Sequence, residues 1–180
     1  MSRPRLVTAP ISARLVVSSV ERMASCLLRR GGGLMPGGPS GPSGFMNNVH
    51  GIATDHQTRQ VFVNDRGNRR IQVFDENGKF LREWKVGAPP VSDIHLIYIG
   101  ADRVLWAADR GTSKIIGYDL QGNLVYTWGT FGDFPGGMFG VHGMSVDQEG
   151  NFYMAEVGGG RVQKYRPRAG ARPELMVGKP

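Results

Sequence analysis

From residue 49 onward the chain alternates between short apolar runs, rich in β-branched and aromatic residues, and polar turns rich in Gly, Asn and Asp. Residues 49–55 read as a first strand, short because it would lie innermost. Residues 61–63 read as a second strand, buried between neighbours, 71–74 as a third, and 80–84 as an outer strand. The connections carry turn chemistry. Asp65-Arg66-Gly67-Asn68 joins an acceptor carboxylate to two residues suited to positive φ, and Glu76-Asn77-Gly78-Lys79 is a hairpin turn of the Asn-Gly kind. The same order is expected at 95–99, 104–108, 114–118 and 124–128, and again at 142–146, 152–155 and 162–165, with a last outer strand near 174–177.

The pattern is a repeat. VFVNDRGNRRIQVFD at 61–75 returns as LWAADRGTSKIIGYD at 105–119 and, weaker, as FYMAEVGGGRVQKY at 152–165. The acidic anchors Asp65, Asp109 and Glu156 lie 44 and 47 residues apart. A period in the forties with four short strands per unit predicts an all-β fold of β-propeller type. The propeller is partial: three four-stranded blades at 45–87, 90–136 and 138–180. One blade cannot bury its own faces, and three are too few to close a ring.

Composition changes the picture mainly at the N-terminus. The formal net charge is +7, but residues 1–30 carry six Arg against Glu21 alone, and the remaining 150 residues are nearly balanced, with 16 basic and 14 acidic side chains. Most of the excess charge therefore lies outside the repeats, which argues against nucleic acid as the partner. Residues 1–30 have three readings: a degraded remnant of a fourth blade, a disordered leader, or an Arg- and Ser-rich targeting peptide. Leu15-Val16-Val17 is too short for the apolar region of a secretory signal. Residues 31–44 are a Gly/Pro loop. No run of about 18 apolar residues predicts a membrane span. The single Cys26 excludes an internal disulfide.

Three of the four histidines occupy one position of the repeat: His50, His95 and His142, each 14 or 15 residues before its acidic anchor. All three open an innermost strand and should point to the axial channel at one level. Converging neutral imidazoles suit Zn²⁺ or a similar ion, and an open coordination position would let that ion polarise a substrate oxygen. The plainer reading is that each His bonds the neighbouring blade. Arg66 and Arg110 follow their anchors and could orient a carboxylate, or simply pair with Asp65 and Asp109. Asp93 is a further axial candidate, with a loop cap as its plain reading. Trp84 and Trp128 should pack between blades, and Trp106 in the core. The Gly-rich loop 129–139, with Phe131, Phe134 and Phe139, reads either as a hydrophobic lid or partner surface, or as a loop folded back on the blade edge.

The stretch VFVNDRGNRRIQVFDENGKFLREW resembles an NHL repeat, the unit of six-bladed propellers, and the resemblance covers 45–180. It implies that the missing blades come from a second chain or a longer parent protein, and a secreted or periplasmic setting. Val49-His50-Gly51-Ile52 and Val141-His142-Gly143-Met144 are similar to the inner-strand motifs of peptidyl-α-hydroxyglycine α-amidating lyases, propellers that hold an axial zinc with histidines from alternate blades. That resemblance implies His50 and His142 as ligands and Arg66 as the arginine beside the metal. It implies His95 as a channel-lining group, and a third ligand from a blade absent here. The two lyase motifs depart from the family in having Val, not Pro, before each His. The expected function is a propeller module binding a peptide, glycan or protein. The alternatives are a zinc-dependent lyase-like enzyme and, behind it, RNA binding through Arg66, Arg69, Arg70, Arg110, Lys114 and Arg161.

Overall fold

The computed structural model describes residues 46–87, 91–167 and 169–170. The expectations for the leader, the Gly/Pro loop, Cys26 and the strand near 174–177 lie outside these residues. Strands β1 (Val49–Asp55), β2 (Gln60–Asp65), β3 (Arg70–Asp75) and β4 (Phe80–Lys85) form one sheet in sequence order. Strands β5 (Ile94–Ile99), β6 (Leu105–Asp109), β7 (Lys114–Tyr118) and β8 (Leu124–Trp128) form a second. Strands β9 (Val141–Val146), β10 (Phe152–Glu156) and β11 (Arg161–Tyr165) form a third. Every ladder is antiparallel. The fold is all-β, a partial β-propeller.

Burial follows position in the blade. Nearly every residue of β2, β3, β6 and β7 is buried, because these strands have a packed layer on both faces, whereas β4 alternates between half-buried and exposed. Two apolar clusters hold the blades together. Phe62, Ile71 and Val73 of the first blade meet Ile94, Leu105, Ala107, Ile116 and Tyr118 of the second. Trp106, Ala108 and Ile115 of the second meet Val141, Phe152 and Met154 of the third. The tryptophans sit as expected: Trp84 packs on Phe62 and Tyr118, Trp128 on Phe152 and Tyr165, and Trp106 is fully buried.

The Asp-Arg-Gly turn departs from expectation. Neither Gly67 nor Asn68 takes positive φ; Arg66–Asn68 is a 3-10 turn closed by Arg69 at φ 51°. Glycine is needed there for closeness instead. A Cβ on Gly67 would lie 2.6 Å from the Asn47 side chain, and one on Gly111 would lie 1.7 Å from the Val91 carbonyl oxygen. The turn is pressed against the segment that leads into the innermost strand. In the first two blades the chain hydrogen-bonds it there, Gly67 N–H donating to Asn47 O and Arg110 N–H to Asp93 O.

Candidate metal centre at three strand bulges

The acidic anchors aim the histidines. Each anchor carboxylate is buried and accepts a main-chain N–H from the segment just before its blade's histidine. Asp65 takes Asn47 N–H at 2.7 Å, Asp109 takes Asp93 N–H at 2.7 Å, and Glu156 takes Phe139 N–H at 3.0 Å. Each anchor also pairs across the ladder with the residue preceding the histidine: Val49 with Asp65, Ile94 with Asp109, Val141 with Glu156. The register then slips by one residue. Gly51 pairs with Asn64, Leu96 with Ala108, and Gly143 with Ala155, so His50, His95 and His142 are each the unpaired residue of a bulge. A bulge turns its extra residue out of the pleat and re-aims the side chain.

The three bulges lie at the innermost edges of the three sheets, and there the rings meet. Ring centroids are 4.4 Å apart for His50–His95, 5.1 Å for His95–His142 and 5.4 Å for His50–His142. One ligand nitrogen from each lies within 4.8 Å of the others. His95 is fully buried, His50 half-buried and His142 exposed. The donor set suits a borderline cation. Ligands about 2.0–2.1 Å from one tetrahedral ion stand roughly 3.3 Å apart, so binding would draw the rings inward by side-chain rotation. His95 Nδ1 is buried with no hydrogen-bond partner among the described residues, a polar atom that a ligand would satisfy.

The surroundings tie the triad to the blades. His50 Nδ1 lies 2.9 Å from the His95 carbonyl, and Asn64 donates to the Ile94 carbonyl at 2.8 Å. His95 Nε2 lies 3.0 Å from Asp93 Oδ2. Burial pushes the His95 imidazole down from its ordinary value; Asp93 opposes this, and the Arg66 charge adds to it. The neutral ring, the form a metal needs, is favoured.

Arg66 is not free to meet a substrate. Its guanidinium grips Asp93 with two bonds, Nε to Oδ1 at 2.5 Å and Nη2 to Oδ2 at 2.9 Å. The plainer expectation of a pair with Asp65 is also replaced, because Asp65 is taken by Asn68, Arg70 and Gln72. Arg110 is exposed and has no ion pair among the described residues. In the third blade the place of Asp93 is held by Gly140, which offers Arg110 no carboxylate. Three of the six cations of the expected basic face are paired within the chain: Arg66 with Asp93, Arg70 with Asp65 and Glu83, and Arg161 with Glu156.

The main chain of the aromatic loop folds back on the third blade, but two of its rings stay in the open. Phe131 is 65% exposed and Phe134 52%. Its main chain is nevertheless pinned: Arg161 donates to the carbonyls of Gly132, Asp133, Phe134 and Gly137, and Gln163 and Tyr165 donate to Gly137. What the sequence reading missed is the bulge at each histidine and the bridge from Arg66 to His95. The Asp-x-His spacing of Asp93 and His95 was the one available signal for the second.

No family model matches the chain, and no curated protein matches it. Among the described residues no helix is long and apolar enough to cross a membrane. Solved structures share the fold. A streptogramin B lyase is 17% identical with a TM-score of 0.52, the match covering 66% of this chain and 37% of that one. A catalytically inactive virginiamycin B lyase from Staphylococcus aureus with quinupristin is 15% identical with a TM-score of 0.50, covering 66% and 41%. A luciferin-regenerating enzyme is 16% identical with a TM-score of 0.49, covering 74% and 43%. This chain thus spans less than half the length of the structures it matches. The likeness to the streptogramin B lyase establishes the β-propeller fold, the frame on which the three histidines are mounted.

Proposed function

We propose that this chain is the metal-bearing part of a lyase-like propeller, with His50, His95 and His142 holding one zinc-class ion on the axial face. The observation that carries this reading is that three blades place a histidine on a bulge at the same register position, and the three rings converge. Recurrence of a residue in a repeat is ordinary, but convergence of ligand nitrogens within 4.8 Å is what a metal requires. The reading departs from the lyase resemblance in its ligand set: His95, on the intervening blade, joins the other two, so the ligands all come from this chain. Three protein ligands leave a coordination position open, and a metal there would polarise a substrate oxygen. Arg110, exposed and without an ion pair among the described residues, is the candidate to orient a substrate carboxylate, the role the resemblance implied for Arg66.

A second reading, a module that binds a peptide or protein, is favoured by one observation: the exposed Phe131 and Phe134 stand on a pinned main chain. The two readings separate by experiment. Native mass spectrometry of the full chain with added zinc should show one ion per chain, and His50→Ala/His142→Ala should show none. Zinc retained by the double variant refutes the metal reading. Lyase-type turnover lost in His142→Ala and in Arg110→Ala supports the enzyme reading; turnover indifferent to both leaves the binding module standing.

A further inference from the structure

We infer that Asp93, clamped by Arg66, is a positioning residue that makes His95 present Nδ1, and not Nε2, to the metal. The inference rests on the triad being a metal centre. An ionised carboxylate can only accept a hydrogen bond. Asp93 Oδ2 lies 3.0 Å from His95 Nε2, so Nε2 carries the proton and the neutral ring keeps its lone pair on Nδ1. That is the nitrogen left buried and unpartnered among the described residues.

His50 is held the opposite way round. A main-chain carbonyl also only accepts, so His50 Nδ1, 2.9 Å from the His95 carbonyl, carries the proton and Nε2 is left for the metal. Neighbouring ligands would therefore present unlike nitrogens. His95 contributes twice, through its side chain to the ion and through its carbonyl to the orientation of His50.

Asp93 is not a repeat ornament. The positions two residues before His50 and His142 hold Asn48 and Gly140, so the carboxylate belongs to the middle blade alone. It is fixed from two blades at once. Arg66 of the first blade grips its side chain through two bonds, and Asp109 and Arg110 of the second bond its main chain. A carboxylate so held orients the ring and raises its basicity as a ligand, and loss of such a partner weakens metal affinity about 10–100-fold.

The test uses the full chain. Long-range ¹H–¹⁵N NMR reads the histidine tautomers without metal, and zinc affinity is read by competition with a chromophoric chelator. The expected result is a His95 Nε2–H tautomer in the metal-free protein, with zinc perturbing the Nδ1 resonance. Asp93→Ala should bind zinc about 10–100-fold more weakly and lose the fixed tautomer, and Asp93→Asn, whose amide oxygen still accepts, should recover part of the affinity. A His95 Nδ1–H tautomer in the wild-type chain, or an Asp93→Ala affinity within about twofold of wild type, overturns the inference while leaving the metal centre in place. Should Asp93→Ala not fold, the wild-type tautomer decides. A wild-type chain that binds no zinc removes the metal reading and this inference with it.

Discussion

Arg66, at the end of β2, reaches across to the second blade and holds Asp93 through both carboxylate oxygens. The pair lies in the layer between blades beside the histidine triad, and it is only partly exposed on either side. The Arg66 hydrogen bonds hold the Asp93 carboxyl below its ordinary value of 3.8, against the opposing effect of burial.

A pH dependence follows with a definite sign. A carboxyl whose folded value is depressed contributes stability that is present above its unfolded value and lost as pH falls through the folded one. Arg66→Gln should therefore cost about 1 kcal/mol at pH 7. The difference from wild type should shrink as pH falls below 3.8, where Asp93 of the unfolded chain takes up a proton, and be lost as the folded carboxyl follows at lower pH. Urea unfolding at pH 7 and pH 3 checks this; a penalty unchanged at pH 3 would place the effect of Arg66 elsewhere.

The histidines should separate stability from metal binding. His142 is exposed, so His142→Ala should change stability by no more than about 0.5 kcal/mol while removing zinc binding. His95 is buried and bonded to Asp93, so His95→Ala should cost about 2 kcal/mol as well as the metal. Thermal unfolding beside zinc titration gives both quantities for each variant.

The turn glycines should be intolerant of a methyl group although their φ is ordinary. Gly111→Ala would put a Cβ 1.7 Å from the Val91 oxygen, so the segment leading to His95 must move. The expected cost is about 1–3 kcal/mol, with loss of zinc affinity, and a crystal structure of the variant should show 91–95 displaced. An Ala variant as stable as wild type would mean that this segment yields freely.

The aromatic loop should depend on Arg161. That side chain donates to four loop carbonyls besides its pair with Glu156. Arg161→Ala should raise amide hydrogen exchange through 130–139, with little change in the first blade. Unchanged exchange would mean that Gln163 and Tyr165 pin the loop on their own.

Much of this molecule is legible along the chain. The alternation of apolar runs and turns places all eleven described strands, because strand formation here is a local matter of β-branched and aromatic residues between turn-formers. The spacing of His50, His95 and His142 against Asp65, Asp109 and Glu156 marks one position of the repeat, and recurrence is a property of sequence. The bulges are not legible. A register slip depends on how a second strand pairs, and Val49-His50-Gly51 looks the same whether His50 is paired or turned out.

The partners of Arg66 show the same limit. Asp65 stands next to it in sequence, yet the bond goes to Asp93, 27 residues away. Sequence by itself determined the fold class, the strands and the histidines worth watching, because these follow from periodicity and local propensity. Only the tertiary structure decided how closely the three rings approach, which nitrogen His95 has free, and that Arg66 is bonded to Asp93 while Arg110 has no ion pair among the described residues. Those outcomes depend on how adjacent blades pack, and packing distances between segments tens of residues apart are written in no local pattern.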